Sequence, residues 1–304
     1  MNSDLPLVSI LVASYNNGKY LEECLDSAVN QTYPNIEIII ADDCSNDDSR
    51  EIAQIFANQY DKITLIFREK NIGACANMND AILNYASGKY IKVLDSDDYL
   101  DINCITNLVE KIESDSNRYA FAYGKAQLYR FETSGKVLLN VIGKQTDFLG
   151  LYCQRENLIP AITVLFRRDK FIEVGGYNPE IVVGDYYMWL NLSSNNEFIF
   201  CDKVVGFYQI GVSHSISKSV DKMRYAVILI LCSIYDNNKN KVSSLDFINS
   251  VQHQCSSFWE GKCYEQLSIS KALALKIFVR KFMLFLFTKR FRFMVSFIIK
   301  MIFR

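Results

Sequence analysis

The sequence predicts an α/β protein: a mostly parallel, doubly wound sheet with a smaller antiparallel part, followed by a helical C-terminal extension. Three observations predict it. From Leu7 to about Leu94, short apolar runs alternate with segments of helical periodicity, the pattern of successive βαβ units. Two of these runs lead directly into carboxylates, Asp42-Asp43 and Asp95-Ser-Asp97-Asp98. Acidic residues leaving a strand stand at the sheet rim, where open α/β folds take their ligands. Half of the 304 residues are apolar and 13% are aromatic, enough for a sizeable core.

The elements follow in order. Val8–Ala13, Ile36–Ala41, Ile63–Phe67 and Tyr90–Leu94 are the strand-like runs. Between the first two, Leu21, Cys24, Leu25, Ala28 and Val29 fall on one helical face. Ser45-Asn-Asp-Asp48 is a cap-like opening for a helix whose Ile52, Ile55 and Phe56 share a face. Gly73 to Tyr85 forms a third helix, closed by Ser87-Gly88. After Leu100 the rhythm loosens. Ile102–Ile112 reads as a helix, and Tyr119–Phe131 with Lys136–Ile142 reads as an antiparallel pair about Thr133-Ser-Gly135. Ile162–Phe166 is a further strand, Asp169–Val174 a short helix stopped by Gly175-Gly176, and Asp185–Leu192 a helix. Phe198–Cys201 and Val204–Ile210 are two more strand candidates, and the chain turns helical from about Ser219. A boundary near residue 217 divides a catalytic-type domain, 1–217, from a helical region, 218–304.

Charge is unevenly spread. Net charge is −1, yet no acidic residue follows Glu265, and residues 271–304 carry nine Lys or Arg. That leaves 24 basic against 34 acidic residues in 1–265. The tail turns as two basic amphipathic helices meeting near Thr288, a composition suited to an anionic membrane surface. Packing on the catalytic domain or on a second subunit, as in a homo-oligomer, is the other reading. Neither apolar stretch of the tail reaches the roughly 20 residues of a spanning helix. Nucleic acid is not an expected partner, because the body is acidic and carries no nucleic-acid motif. Nine cysteines, none in a CxxC pair, fit a reducing cytosol rather than a disulfide framework. Two histidines, His214 and His253, exclude a His-rich metal site. The N-terminal apolar run Val8–Ala13 is too short for a signal sequence.

Asp95, Asp97 and Asp98 follow an apolar strand within four residues, and carboxylates so close repel one another unless a cation neutralises them. Oxygen ligands of this kind suit Mg²⁺ or Mn²⁺. A solvated acidic turn is the bland alternative. An EF-hand is excluded, since position six is Leu100 and position twelve Thr106. A haloacid-dehalogenase-like phosphohydrolase fits poorly, with Tyr99 two residues past Asp97 and the motif far from the first strand.

Five motifs in order carry a family resemblance over roughly residues 7–217. Val8-Ser-Ile-Leu-Val-Ala-Ser-Tyr-Asn16 with Tyr20-Leu-Glu-Glu-Cys-Leu-Asp-Ser-Ala-Val-Asn-Gln-Thr-Tyr33 opens the series. Asn35–Ser45, Ser87–Asp98, and the pair Val174-Gly-Gly-Tyr-Asn178 and Asp185-Tyr-Tyr-Met-Trp-Leu190 complete it. Together they closely resemble glycosyltransferase family 2. The resemblance implies a GT-A fold and an inverting, metal-dependent transfer of a hexose or N-acetylhexosamine from a nucleotide-sugar, a UDP-sugar foremost. The acceptor implied is a glycan, lipid-linked or otherwise, in cell-surface polysaccharide or lipooligosaccharide synthesis, with the enzyme at the inner face of the cytoplasmic membrane.

By the same resemblance, Ala13, Ser14, Tyr15, Asp42, Asp43 and Asp95 contact the nucleotide-sugar. Tyr15 offers a ring face to the base, against a plain rim tyrosine; Asp43 accepts from a uracil imide, against an Asx-type turn. Asp97 is the direct metal ligand, for Mn²⁺ or Mg²⁺, with Asp95 on the ribose or on the metal through water. Asp98 is ambiguous, with a helix N-terminal role beyond the metal an equal reading. Asp185 is the general base, against N-terminal capping of its helix. Three departures stand out: Gly184 where the family usually has Glu, Gln209-Ile-Gly211 where it often has Arg-x-His, and Asn77-Met-Asn79 where it often has Ala-Arg-Asn. The non-enzymatic alternative is an inactive nucleotide-sugar-binding subunit that anchors a partner at the membrane.

Overall fold

The structure, a computed structural model, describes residues 5–115, 117–132, 135–153, 159–181, 183–211, 220–247 and 249–251. Three parallel strands open it: β1 (Val8–Ser14), β2 (Ile36–Asp42) and β3 (Ile63–Phe67), with β4 (Tyr90–Asp95) returning beside β1. The crossovers are α1 (Gly18–Val29), α2 (Ser49–Gln59) and α3 (Ala74–Asn84). Because β1 is covered on both sides, Val8, Ile10 and Val12 join one core layer while Leu11 joins the other. That double burial explains why the run is continuously apolar rather than alternating.

Beyond β4 the sheet changes character. A two-residue strand, β5 (Tyr99–Leu100), leads to α4 (Cys104–Glu113), then to the hairpin β6 (Tyr119–Glu132) and β7 (Gly135–Ile142). Next come α5 (Phe148–Tyr152), a 3-10 turn (Ala161–Thr163), β8 (Val164–Arg167), α6 (Arg168–Glu173), α7 (Gly184–Asn195), β9 (Glu197–Gln209) and α8 (Val220–Asn237). The sheet has nine strands in the order β3-β2-β1-β4-β8-β6-β9-β5, with β7 added on β6. β8 runs antiparallel to both β4 and β6, so β4 is the seam between a parallel half and a mixed half.

Several expectations change. The two strands expected over Phe198–Cys201 and Val204–Ile210 are one, β9, which continues through Asp202-Lys203. Its register against β6 shifts near Lys125, where Lys125 pairs with Asp202, so charge on the strand is accommodated rather than expelled into a turn. The strand expected at Ile162 starts at Val164, because Thr163 closes a 3-10 turn with its N–H on the Pro160 carbonyl at 2.9 Å. Within the cap-like segment Ser45–Asp48 it is Asp47 that ties the opening of α2, its Oδ1 accepting from the Ser49 N–H at 3.1 Å, as expected of that segment.

The start of the helical region packs on the domain before it. Ile230, Leu231 and Ile234 of α8 are buried in the layer that holds Trp189 and Leu190 of α7, and the Tyr152 hydroxyl donates to the Leu231 carbonyl at 2.8 Å. The boundary near residue 217, His214 and the basic tail 271–304 lie outside the described residues. Among the described residues no helix is long and apolar enough to cross a membrane, and Cys24, Cys44, Cys75, Cys104 and Cys201 are free thiols.

Candidate active site

Three parallel strands end together, and their last residues form the floor of the site. Ala13 of β1 stands beside Asp95 of β4, and Ser14 beside Asp42 of β2. The Asp43 N–H donates to the Ser14 carbonyl (2.9 Å) and the Ser96 N–H to the Ala13 carbonyl (3.2 Å), extending the alignment past the strand ends. Ser14 is buried and its Oγ has no hydrogen-bond partner. A buried hydroxyl left so costs about 1–3 kcal/mol, the mark of a group aimed at something the polypeptide does not supply.

Asp42 and Asp43, adjacent in sequence, have different tasks. Asp42 is buried and fully engaged within the protein, accepting from the Ser45 N–H (3.0 Å), the Ser45 hydroxyl and Arg50 Nε (2.7 Å). Asp43 accepts from the N–H groups of Ile72 (2.8 Å) and Gly73 (2.9 Å), pulling the turn before α3 over the strand ends. Each Asp43 oxygen keeps a lone pair for a further donor. Tyr15 follows β1 with 47% of its surface exposed.

The β4 end carries the densest charge. The chain turns after Asp95, with the Asp98 N–H on the Asp95 carbonyl at 3.0 Å, and enters β5. Burial, then Asp97, then Asp185 push the Asp95 carboxyl up to about 7, with Lys92 acting against them. Burial raises Asp97 as well. Asp98 is buried and raised, by burial first and then by Asp97 and Asp95. Its Oδ1 accepts from the Gln209 N–H at 2.8 Å, while its Oδ2 has no partner.

Carboxylates that raise one another in this way fit a divalent cation, whose charge reverses the repulsion. Among the described residues no group of three His, Cys, Asp or Glu side chains makes a ready cage. One or two carboxylates with phosphate oxygens and water are how Mg²⁺ is usually held, and Asp97 and Asp95 fit that manner.

The opposite wall comes from α7. Asp185 lies in its first turn, and its Oδ1 accepts from the Tyr186 N–H at 2.7 Å. The capping reading therefore holds, and it leaves Oδ2 for other work. Burial raises Asp185 above the usual carboxylate range, which suits a proton acceptor. Cys75 and Tyr177 feel both Asp185 and Asp95, so both side chains lie within electrostatic reach of the two carboxylates. Two glycines make this wall possible. A Cβ on Gly184 would meet Cys75 Sγ at 2.9 Å. Gly176 has φ +74, and a Cβ there would meet Asn79 Oδ1 at 2.8 Å. Asn79 in turn holds Tyr177 by both backbone groups, at 2.9 Å to its N–H and 2.7 Å to its carbonyl.

The strand ends thus gather Ala13, Ser14, Asp42, Asp43, Asp95 and Asp97, and charge links Asp185 to Asp95. Four contributors escaped the sequence reading. Arg50 neutralises Asp42. Tyr129 of β6 and Gln209 of β9 brace the acidic turn. Lys92, fully buried, donates to the carbonyls of Ile162 and Val164, the latter at 3.3 Å. A lysine inside an otherwise apolar strand was the one readable signal among them, since buried charges need partners.

The sequence model of "Glycosyl transferase family 2" matches residues 9–174, more than half the chain. The match stops short of Asp185. A Campylobacter jejuni protein named GalNAc(5)-diNAcBac-PP-undecaprenol beta-1,3-glucosyltransferase is 24% identical over 267 residues, 86% of this chain and 82% of that one. Matches to three other curated relatives span 44%, 36% and 18% of those proteins, so the chain covers less than half their length. Among solved structures, Staphylococcus aureus TarS 1–349 in complex with UDP-GlcNAc superimposes with a TM-score of 0.64 at 17% identity, over 86% of this chain and 74% of that one. The mannosyltransferase PcManGT of Pyrobaculum calidifontis, in complex with GDP-Man and Mn²⁺, gives 0.60 at 14% identity, over 90% and 81%. The curled, mostly parallel sheet shared with these structures is the GT-A fold. The chain belongs to glycosyltransferase family 2, and it is a glycosyltransferase.

Proposed function

We propose that this enzyme moves a hexose or N-acetylhexosamine from a UDP-sugar to a glycan acceptor of the cell surface, with inversion at the anomeric carbon and with Mn²⁺ or Mg²⁺ as cofactor. The observation that carries the reading is the electrostatic coupling of the β4-end carboxyl Asp95, itself coupled to Asp97, with Asp185 of α7, both of which act on Cys75 and Tyr177.

The nucleoside is held at the β1 and β2 ends. Asp43, with its free lone pairs, accepts from the uracil imide, Tyr15 stacks on the base, and Ser14 Oγ finds its missing partner on the donor. Asp97 and Asp95 hold the cation, which when bound offsets the charge of the diphosphate as it leaves. An acceptor hydroxyl attacks the anomeric carbon from the face opposite the diphosphate. The new C–O bond forms as the bond to the phosphate oxygen breaks, and the hydroxyl proton passes to Asp185 Oδ2. Proton removal of this kind contributes about 10²- to 10⁴-fold.

Support for a nucleotide-sugar donor comes from the ligands named for the two structural neighbours, UDP-GlcNAc and GDP-Man, and support for a cation from the Mn²⁺ in the second. Support for a polyprenyl-diphosphate-linked acceptor comes from the name of the Campylobacter relative. A basic tail at an anionic membrane surface would bring the enzyme to such an acceptor; failure of the full chain to co-sediment with anionic vesicles would remove that part. The inactive-subunit reading is not favoured, because the related proteins are named as transferases.

The test is calorimetric titration with UDP, with and without Mn²⁺, on the wild type and on Asp97→Ala. Mn²⁺-dependent UDP binding that disappears in Asp97→Ala is the expected result. No UDP binding in either condition would sink the uridine assignment, and binding indifferent to Mn²⁺ would sink the metal role.

A further inference from the structure

The turn that bears Asp97 is held from behind by a buried network that none of the five motifs contains. Tyr129 of β6 is 1% exposed, and its hydroxyl donates to the Asp97 carbonyl at 2.8 Å. The same hydroxyl lies 3.2 Å from the side-chain amide of Gln209, which is 6% exposed. A phenol has one proton and can also accept. With that proton on the Asp97 carbonyl and the Gln209 amide turned to present its nitrogen, the hydroxyl both donates and accepts. Gln209 closes a ring, since its own N–H donates to Asp98 Oδ1 at 2.8 Å. Main-chain pairing fixes the other side, with the Ile210 N–H on the Tyr129 carbonyl at 2.9 Å. Tyr99, two residues past Asp97, packs edge-on against the Tyr129 ring with centroids 5.1 Å apart.

Three successive parts of the acidic turn are thus anchored to β6 and β9: the Asp97 carbonyl, the Asp98 carboxyl and the Tyr99 ring. Among the described residues no other residue donates a hydrogen bond to the Asp97 carboxylate, which depends on its own backbone for aim. A metal ligand aimed within a few tenths of an ångström needs such a support, because outer groups that orient ligands typically change metal affinity 10- to 100-fold.

We propose that Tyr129, seated by Gln209, is a positioning residue for the cation of this enzyme: it sets the backbone from which Asp97 reaches the metal and never touches the donor itself. The inference rests on the metal role of Asp97 proposed above. Tyr129→Phe removes one oxygen and keeps the ring packing against Tyr99. The expected result, read by Mn²⁺ titration in the presence of UDP, is an apparent Mn²⁺ affinity lower by roughly 10-fold. UDP affinity without metal stays at the wild-type value. In an Asp97→Ala background, Tyr129→Phe has no further effect on UDP binding in Mn²⁺, because the group it positions is gone. Gln209→Leu, which keeps the strand pairing, shifts Mn²⁺ affinity in the same direction by a smaller factor. Wild-type Mn²⁺ affinity in Tyr129→Phe overturns the proposal. So does an equal loss with and without Asp97, the signature of general loosening. A wild type that shows no Mn²⁺-dependent UDP binding overturns the metal role itself, and this inference falls with it; a normal wild type beside an unaffected Tyr129→Phe overturns only the inference.

Discussion

Replacing Asp95 by Asn should stabilise the metal-free enzyme while disabling it. The Asp95 carboxyl is raised to about 7 from an ordinary 3.8, by burial first and by Asp97 and Asp185 next. The folded state therefore holds a proton on Asp95 that the unfolded chain gives up near pH 4. Between these two values the native state binds more protons than the unfolded one, so this group's contribution to stability falls as pH rises through that window. A carboxyl moved from 3.8 to about 7 costs on the order of 4 kcal/mol once ionised. That figure is a ceiling, because water and side-chain movement relieve part of it. Near pH 4.5 the cost shrinks to roughly 1 kcal/mol. Asn has the shape of the protonated acid and no charge to bury. Thermal unfolding of Asp95→Asn beside the wild type, in chelator, should show a Tm higher by several degrees near pH 7.5, at about 2 °C per kcal/mol for a protein of this size. Near pH 4.5 the gap should nearly close. Mn²⁺ with UDP should raise the wild-type Tm and leave the variant unmoved. A variant no more stable than wild type at the higher pH, or a gain equal at both, refutes the reasoning, since the cost would not then come from ionisation.

Two further predictions follow from the α7 wall. Asp185→Asn keeps the Oδ1 acceptor for the Tyr186 N–H, so donor affinity should persist while turnover drops by about 10²- to 10⁴-fold; a variant that turns over normally would remove Asp185 as the base. Gly184→Ala drives a methyl against Cys75 Sγ and should cost about 1–3 kcal/mol in denaturant unfolding, a loss that Cys75→Ala in the same chain partly restores; additive losses in the double variant would show that the contact is not what forbids a side chain there.

Much of the parallel half is legible in the sequence. The expected runs from Val8, Ile36, Ile63 and Tyr90 begin where the strands begin, and the face Leu21, Cys24, Leu25, Ala28, Val29 is the buried face of α1. Those segments are local: periodicity sets them, and the parallel sheet buries β1, β2 and β4 on both sides. The mixed half is less legible because long-range pairing decides it. The two residues of β5 are a strand only because β9 lies beside them, and β9 continues through Asp202-Lys203 because β6 pairs with it on both sides of that dipeptide. The site divides in the same way. Motif matching picks out Asp43, Asp95, Asp97 and Asp185, yet no local pattern connects Tyr129 or Gln209 to the acidic turn, and the Arg50 partner of Asp42 shows only in the fold. The departure at Gly184 becomes intelligible only in three dimensions, where Cys75 occupies the space.

Lys92 has one more consequence. β4 and β8 pair only at Tyr90 with Arg167 and Ile91 with Phe166. Past that point the two strands unzip, and the carbonyls of Ile162 and Val164, left without ladder partners on that side, are taken by the Lys92 ammonium reaching sideways from β4. Where the ladder stops, a single side chain takes over its work, tying β4 to the first residue of β8 and to the turn before it. A shorter side chain at this position would leave two main-chain acceptors without their buried donor.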